Sequence, residues 1–344
     1  MFMKRLALIE RSLHKVYENT YKVLKDCFEV DIISSDINAD TRLDESSDKS
    51  STPFIWYGGL LKHLKQSNPD IVAVRTYYRL YSLVALFYSI FYRKPFYVFE
   101  ERQKDCDSFF FNLLEKIALL FLKPIFNWKV KKFICVTKPC LKYMGEQGFE
   151  NLVFIPTPYK RKVKKPRKGK KLKILCIARF VKFKQHELLI KAVNYLVEKR
   201  MFKKNEIVVT FIGNGPLEQR LKTLCSRYGL KSVFVFKGRV SNDKIDAACR
   251  GHNLFVLPSS YEPVGMVVFE AMSNALPCVV SDTCGALNES TLEFRTGDFR
   301  SLARAINIFR NSQLRFEWGL YSSCWLDVFY HPNKIKKRLR RIIK

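Results

Sequence analysis

Short apolar runs alternate with segments of helical periodicity along the second half of the chain. After the run 174–178, apolar side chains recur on one side of a helix of about three turns between Leu188 and Val197. Further runs of strand length, separated by helical segments, lie at 207–212, 233–236, 254–257 and 277–280. Because strands that alternate with helices form right-handed crossovers, this pattern predicts a doubly wound α/β domain with a parallel sheet covered on both faces.

The first half of the chain repeats this alternation less clearly. Apolar runs that predict strands, with helical stretches between them, lie at 6–9, 29–33, 71–74, 96–99, 133–136 and 152–155. A Ser- and Asp-rich stretch at 36–53 predicts a polar loop. We therefore expect a second α/β domain ahead of the first one.

Two segments rich in Lys and Arg mark the expected boundaries between domains. Between Lys160 and Lys173, 10 of 14 residues are basic, which is typical of a solvated linker. The C-terminal segment is also basic and would place four apolar side chains on one side of a helix: Ile335, Leu339, Ile342 and Ile343. The predicted organisation is a first domain over 1–160, a linker over 161–173, a second domain over 174–325 and a basic helix over 326–344.

The composition excludes some classes of protein and favours one kind of binding partner. The chain has 344 residues, of which 47% are hydrophobic, so it is not a largely disordered protein. Its 61 Lys and Arg outnumber 32 acidic residues, for a formal charge of +29. That charge favours an anionic partner: nucleic acid, an acidic lipid surface or a phosphorylated substrate.

The cysteines and the apolar runs bear on the compartment. Ten cysteines occur without a CxxC pair or a cluster with histidine, which predicts reduced thiols and no metal site. The N-terminus does not match a signal peptide, and no run reaches the roughly 18 apolar residues of a membrane span. We therefore expect a cytoplasmic protein.

Candidate binding residues follow the predicted strands of the second domain. Doubly wound domains bind ligands at these carboxyl ends of their strands. Arg179 and Lys184 come after the first strand, a glycine turn at 213–215 comes after the second, and the loop 259–265 leads into a helix N-terminus. Two cations and a helix N-terminus suit a diphosphate. Glu262 and Glu270 could accept hydrogen bonds from ribose or hexose hydroxyls, although two exposed glutamates on a helix would look the same in sequence.

These segments, taken in order, resemble the family-4 retaining glycosyltransferases of GT-B fold. The resemblance covers about residues 172–300 and rests on the segments 177–184, 213–217, 236–240, 257–259 and 261–272. It implies two Rossmann-like doubly wound domains that face a central cleft. It also implies a nucleotide-sugar donor, UDP- or GDP-linked, that is bound mainly by the second domain, with no further cofactor and no metal.

The resemblance implies a role for each matching position. Arg179 and Lys184 would hold the donor diphosphate and neutralise the charge on the leaving nucleotide, Glu270 would bind ribose, and Glu262 would face the transferred sugar. The remaining donor-binding positions would be Gly215, Val240, Pro263, Val264, Gly265, Met266 and Val267.

The chain departs from this family at several positions. Ala178, Gln185 and Ala275 stand where the family usually has glycine, and the first strand is not followed by the glycine-rich acceptor loop that many members carry. Many members also have a histidine after the strand at 96–99, where this chain has Glu100 and Glu101. Glu101 is therefore a candidate catalytic residue in the first domain.

The resulting hypothesis is a retaining hexosyltransferase that is peripheral on the inner face of the plasma membrane. Its acceptor would be a glycolipid or polysaccharide, lipid-linked or of the lipopolysaccharide or capsule type. Aromatic stretches at 77–97 and 109–128, interleaved with basic residues, could dock on an anionic membrane or could belong to the core. The alternatives are a catalytically silent GT-B relative, a nucleotide-sugar epimerase, and a nucleic-acid-binding protein. Nucleic-acid binding is disfavoured because the positive charge of the chain is diffuse. It would also leave the ordered phosphate-site segments unexplained.

Overall fold

The structure, a computed structural model, describes residues 3–10, 18–34, 51–53, 57–77, 79–101, 120–162, 166 and 169–344. The chain divides into two compact units, Met1–Pro158 with Pro332–Lys344, and Tyr159–His331. Residues 163–165 and 167–168 of the expected linker, and 109–119 of the second aromatic stretch, lie outside the described residues.

The first unit contains a parallel sheet of seven strands in the order β3-β2-β1-β4-β5-β6-β7. The strands are β1 (Arg5–Glu10), β2 (Glu29–Ser34), β3 (Ser51–Pro53), β4 (Ile71–Arg75), β5 (Phe96–Glu100), β6 (Val130–Cys135) and β7 (Leu152–Phe154). Six of them coincide with the predicted apolar runs. The short edge strand β3 does not, because it lies in the polar stretch that predicted a loop, and an edge position tolerates its Pro53.

Helices cover both faces of this sheet. The described helices of the first 158 residues are α1 (Glu18–Lys25), α2 (Tyr57–Ser67), α3 (Leu80–Phe91), α4 (120–129, as far as it is described) and α5 (Lys138–Glu146). One core cluster joins one face of the sheet to residues of α2, α3, α4 and α5. A second cluster joins the opposite face to residues of α1.

The second unit contains a parallel sheet of six strands in the order β10-β9-β8-β11-β12-β13. The strands are β8 (Leu172–Ile177), β9 (Ile207–Ile212), β10 (Phe234–Phe236), β11 (Leu254–Leu257), β12 (Cys278–Ser281) and β13 (Leu292–Phe294). The predicted strands are all present. The edge strand β13 was not predicted, since three residues with a central glutamate are too short to show an alternating pattern.

The helices of the second unit follow the predicted alternation. They are α6 (His186–Glu198), α7 (Glu218–Arg227), α8 (Asn242–Gly251), α9 (Met266–Ser273), α10 (Phe299–Ile308) and α11 (Ser312–Tyr330). The expected domain end at residue 325 lies inside α11, which continues to Tyr330. The helix stops there because the residue before Pro332 is disfavoured in helical conformation, and His331 is extended.

The last helix, α12 (Pro332–Ile342), belongs to the first unit. Three of the four apolar residues that the sequence placed on one side, Ile335, Leu339 and Ile343, are buried in the cluster beneath α1. Lys336 Nζ lies 3.1 Å from Asp26 Oδ2. The apolar side of this basic helix is therefore part of a protein core.

Candidate functional site

The predicted cations of the second unit lie just beyond the carboxyl end of β8. Arg179 is exposed and follows the strand by two residues. A single 3-10 turn over Lys182–Lys184 then brings Lys184 back beside the sheet, and Gln185, in left-handed conformation, begins α6. The short loop thus holds both cations at one end of one strand.

The glycine turn after β9 packs against this loop. A Cβ atom at Gly213 would overlap the carbonyl oxygen of Ala178, and one at Gly215 would lie 2.6 Å from the carbonyl oxygen of Phe180. The Phe180 N–H donates to the Asn214 carbonyl at 2.8 Å. Gly215 is therefore required for close approach of the two backbones.

The loop between β11 and α9 is tied down on both sides. The Ser260 N–H donates to the Phe183 carbonyl, and the Gly285 N–H donates to the Glu262 carbonyl, each at 2.7 Å. Gly265 has a φ of 71°, and a Cβ atom there would lie 2.8 Å from that of Ala286, so glycine is needed where α9 begins. The first N–H groups of a helix have no intrahelical partner, so the N-terminus of α9 is a potential anion site.

Lys184 and Glu262, predicted from separate segments, meet as an ion pair. Their side chains are only 14% and 17% exposed. The Lys184 ammonium also lies 5.1 Å from the centre of the Phe183 ring. A mostly buried pair of this kind holds both charged groups in fixed positions at the strand ends.

A cavity of about 350 Å³ opens at the same edge of the sheet. Its lining includes Arg179, Val240 and Val267 from the predicted set, together with Gly213 and Asn214 of the glycine turn. Three positions that lie far apart in sequence are thereby brought around one space.

Glu270 lies on α9, one turn beyond the helix start. Its Oε2 atom is buried and has no hydrogen-bond partner among the described residues. Burial raises the pKa of the Glu270 carboxyl to about 7, and the Asp246 carboxylate adds to this while Lys162 opposes it. Lys162 Nζ is itself paired with Asp246 at 2.8 Å. The Oε2 atom of Glu270 is thus a buried acceptor to which no described residue donates a hydrogen bond.

The remaining predicted residues take different places. Pro263, Val264 and Met266 lie in the loop and at the helix start between Glu262 and Glu270. Glu101 lies in the first unit, directly after β5, where its N–H donates to Glu100 Oε1 at 2.9 Å. Of the predicted residues, Arg179, Val240 and Val267 thus line one cavity, Lys184 and Glu262 form an ion pair, and Glu101 lies in the other unit.

A cluster of charged residues, none of which the sequence analysis proposed as a site residue, lies at the strand ends of the first unit. Glu10, Arg75 and Glu100 are the last residues of β1, β4 and β5, which are neighbours in the sheet, and all three are buried. Arg75 Nε lies 3.2 Å from Glu10 Oε2, and the Tyr21 hydroxyl donates to the same oxygen at 2.6 Å. The strand order reverses between β1 and β4, which is where open α/β sheets bind ligands. The signal was a charged residue directly after each predicted apolar run.

The described residues contain no group of three or more His, Cys, Asp or Glu placed to hold a metal ion. Within the same part of the chain, no helix is both long enough and apolar enough to cross a bilayer.

Comparison with known proteins agrees with this geometry. Residues 159–298 match the family model described as glycosyl transferases group 1. The matched residues lie within the second unit. An uncharacterized glycosyltransferase of Methanocaldococcus jannaschii is 32% identical over 114 residues, which are 33% of this chain and 28% of that relative. The sequence match to curated relatives thus spans about a quarter of their length.

Solved structures extend the likeness to both units. HepE of Anabaena, in complex with UDP and glucose, has a TM-score of 0.77 and 14% identity, with 98% of each chain covered. The lipopolysaccharide outer core galactosyltransferase WaaB in its apo form has a TM-score of 0.76 and 14% identity, with 98% of this chain and 99% of that chain covered. These likenesses show that the chain has the GT-B fold.

Proposed function

We propose that this protein transfers a hexose from a UDP- or GDP-linked donor to a membrane-associated acceptor, with retention of configuration and without a metal. The observation that carries the proposal is the convergence of Arg179, Lys184, Glu262 and the N-terminus of α9 at one edge of the second sheet. The match of residues 159–298 to the group 1 family model and the UDP bound to HepE support the same donor class.

The cations supply the main catalytic effect. As the acceptor hydroxyl oxygen bonds to the anomeric carbon, the bond from that carbon to the donor phosphate breaks and its electron pair stays on the nucleoside diphosphate. The hydroxyl proton passes to a phosphate oxygen. Arg179, Lys184 and the N–H groups that begin α9 stabilise the growing negative charge, which is the role a divalent cation has in other transferases.

The carboxylates position the donor. The Glu270 carboxylate, whose buried Oε2 has no hydrogen-bond partner among the described residues, accepts hydrogen bonds from the two ribose hydroxyls. The cavity beside Val240 takes the base. Glu262 faces the transferred sugar. Its carboxylate is paired with Lys184, so that donor binding exchanges a carboxylate for a diphosphate on the same ammonium group.

The acceptor is a glycolipid or polysaccharide at the inner face of the plasma membrane. Two facts support this assignment: the formal charge of +29, which favours an anionic lipid surface, and the name of WaaB, a lipopolysaccharide outer core galactosyltransferase.

The direct test is a binding titration of UDP, GDP and ADP, each alone and linked to common hexoses. We expect one nucleotide class to bind, and Glu270→Ala and Arg179→Ala to weaken that binding at least about tenfold. Glu317→Ala and Arg227→Ala, exposed residues on α11 and α7, are the matched controls and should leave it unchanged. Absence of binding by any nucleotide to folded protein would reject the proposal.

A second assay separates the proposal from its alternatives. Transfer of labelled sugar to extracted membrane glycolipid would reject a catalytically silent relative. An epimerase would instead change the sugar nucleotide without any acceptor. Tight, salt-sensitive binding to oligonucleotides without nucleotide-sugar binding would favour the nucleic-acid alternative.

A further inference from the structure

Helix α3 buries its polar side chains and exposes apolar ones. It contains no charged residue, and its four polar side chains, Tyr81, Ser82, Tyr88 and Ser89, are all buried. The outward side carries only apolar side chains: Leu80, Phe87 and Phe91 are exposed, the two phenylalanines by 55% and 80%, and Leu83, Val84 and Ile90 are partly buried. A surface helix in water normally has the opposite pattern.

The buried hydroxyl groups of α3 are largely satisfied inside the unit. The Tyr81 hydroxyl donates to the Arg75 carbonyl at 2.6 Å, and the Ser82 hydroxyl donates to the Thr76 carbonyl at 2.7 Å. The Tyr88 hydroxyl donates to the Leu64 carbonyl at 2.8 Å. The helix is therefore fixed in this orientation by specific hydrogen bonds, so its apolar outer side is a built feature of the fold.

Helix α4 adds a second apolar outer side. Phe126 of α4 is in the same core cluster as α3, on the same face of the sheet. The two helices lie in successive connections, β4 to β5 and β5 to β6, between strands that are neighbours in the sheet. On the outside of α4, Phe121 and Trp128 are 73% and 72% exposed. We call Leu80, Phe87, Phe91, Phe121 and Trp128 the outer apolar surface.

Basic residues lie at the ends of both helices. Arg79 precedes α3, Arg93 follows it, and Lys131 follows α4, all of them exposed. Exposed aromatic side chains flanked by Lys and Arg match the boundary between the headgroups and acyl chains of an anionic bilayer, where aromatic rings insert and long cationic side chains reach the phosphates. A protein partner would not require that flanking charge.

We infer that the outer apolar surface inserts into the interface of a bilayer that contains anionic lipids. The inference rests on the proposed function, because an acceptor held in a membrane requires the enzyme to reach it. It assigns the contact to α3 and α4 and excludes α12 as the inserting element, since the apolar side of α12 is buried in the core. Helix α3, with 12 residues, lies along the interface and does not span it.

The test is co-flotation with phosphatidylcholine vesicles that contain or lack phosphatidylglycerol, at low and at high salt. We compare the native chain with Phe87→Ser/Phe91→Ser and with Phe329→Ser. Phe329, on α11 of the second unit, is 54% exposed and is the matched control. We expect the double variant to lose about tenfold or more of its partition into anionic vesicles, and the control to keep it.

Two further measurements make the result decisive. Brominated acyl chains should quench tryptophan fluorescence of the native chain, and most of that quenching should be lost in Trp128→Phe. Circular dichroism and UDP binding, measured on the same preparations, report whether each variant is folded and whether the donor site is intact. Native binding to neither vesicle, or equal binding by native chain and double variant, would overturn the inference. Vesicle binding without nucleotide binding would leave it standing and reject the proposed function.

Discussion

The side-chain ammonium of Lys184 and the carboxylate of Glu262 form an ion pair although 78 residues separate them in sequence. The pair joins the loop after β8 to the loop after β11, which are neighbouring strands of the second sheet. Under the proposed function, the donor diphosphate and Glu262 compete for one cation.

This competition predicts opposite effects of two substitutions on UDP affinity. Glu262→Gln removes the competing charge, so we expect UDP to bind about three- to tenfold more tightly while sugar transfer falls. Lys184→Met should weaken UDP binding. Isothermal titration measures both, with Glu293→Gln as the control for a general change of charge. Weaker UDP binding by Glu262→Gln would mean that the carboxylate supports the nucleotide site.

Nucleotide affinity should depend on pH through Glu270. Its pKa is raised to about 7 by burial, so in the free protein the carboxylate form that accepts ribose hydroxyls increases as pH rises through that value. We expect the affinity for UDP to fall as pH decreases below about 7, by up to tenfold per pH unit. The difference between the native chain and Glu270→Gln cancels the titration of the phosphate itself. Parallel pH profiles for the two proteins would contradict this assignment.

Gln185 is held in a conformation that favours glycine. Its φ is 48°, and its side-chain Oε1 is buried without a hydrogen-bond partner among the described residues. Gln185→Gly should therefore raise the free energy of unfolding by about 1 kcal/mol. Gln185→Ala removes the amide but keeps the left-handed strain, so it should gain less. Thermal unfolding of the three proteins measures the order, and a lower midpoint for the glycine variant would show that the conformation is not strained.

The ion pair at the strand ends of the first unit should be costly to break. Glu10 is fully buried, so Arg75→Met leaves a buried carboxylate without this cation and should destabilise the first unit by about 3–5 kcal/mol. Adding Glu10→Gln should restore much of that loss. Hydrogen exchange of the β1 and β4 amides reports on this unit, and UDP binding serves as an unaffected readout of the second. Equal exchange in native and Arg75→Met proteins would show that the pair carries no stability.

The strands and the donor loops could be predicted because each is encoded locally. Apolar runs mark the strands. Arg179 and Lys184 are recognisable by their position after the first strand of the second unit, and Glu270 by its place in the helix that the loop 259–265 leads into. The pairing of Lys184 with Glu262 could not be predicted, because it depends on how two distant loops fold against each other. The cluster of Glu10, Arg75 and Glu100 was missed for the same reason, although each residue follows a predicted strand.

The sequence also could not predict which aromatic side chains are buried and which are exposed. The stretch 77–97 contains aromatic residues of both kinds, buried Tyr81 and Tyr88 and exposed Phe87 and Phe91. Their composition alone fits a core helix or a membrane-facing helix equally well. Only the fixed rotation of α3 about its axis, set by hydrogen bonds to Arg75 and Leu64, decides which side chains face outward.

The return of α12 to the first unit has a consequence for folding. The core of the first unit is complete only when Ile335, Leu339 and Ile343, which follow the whole second unit in sequence, have packed into it. An N-terminal fragment that ends at Pro158 lacks these three core residues and should be a substrate for chaperones and proteases.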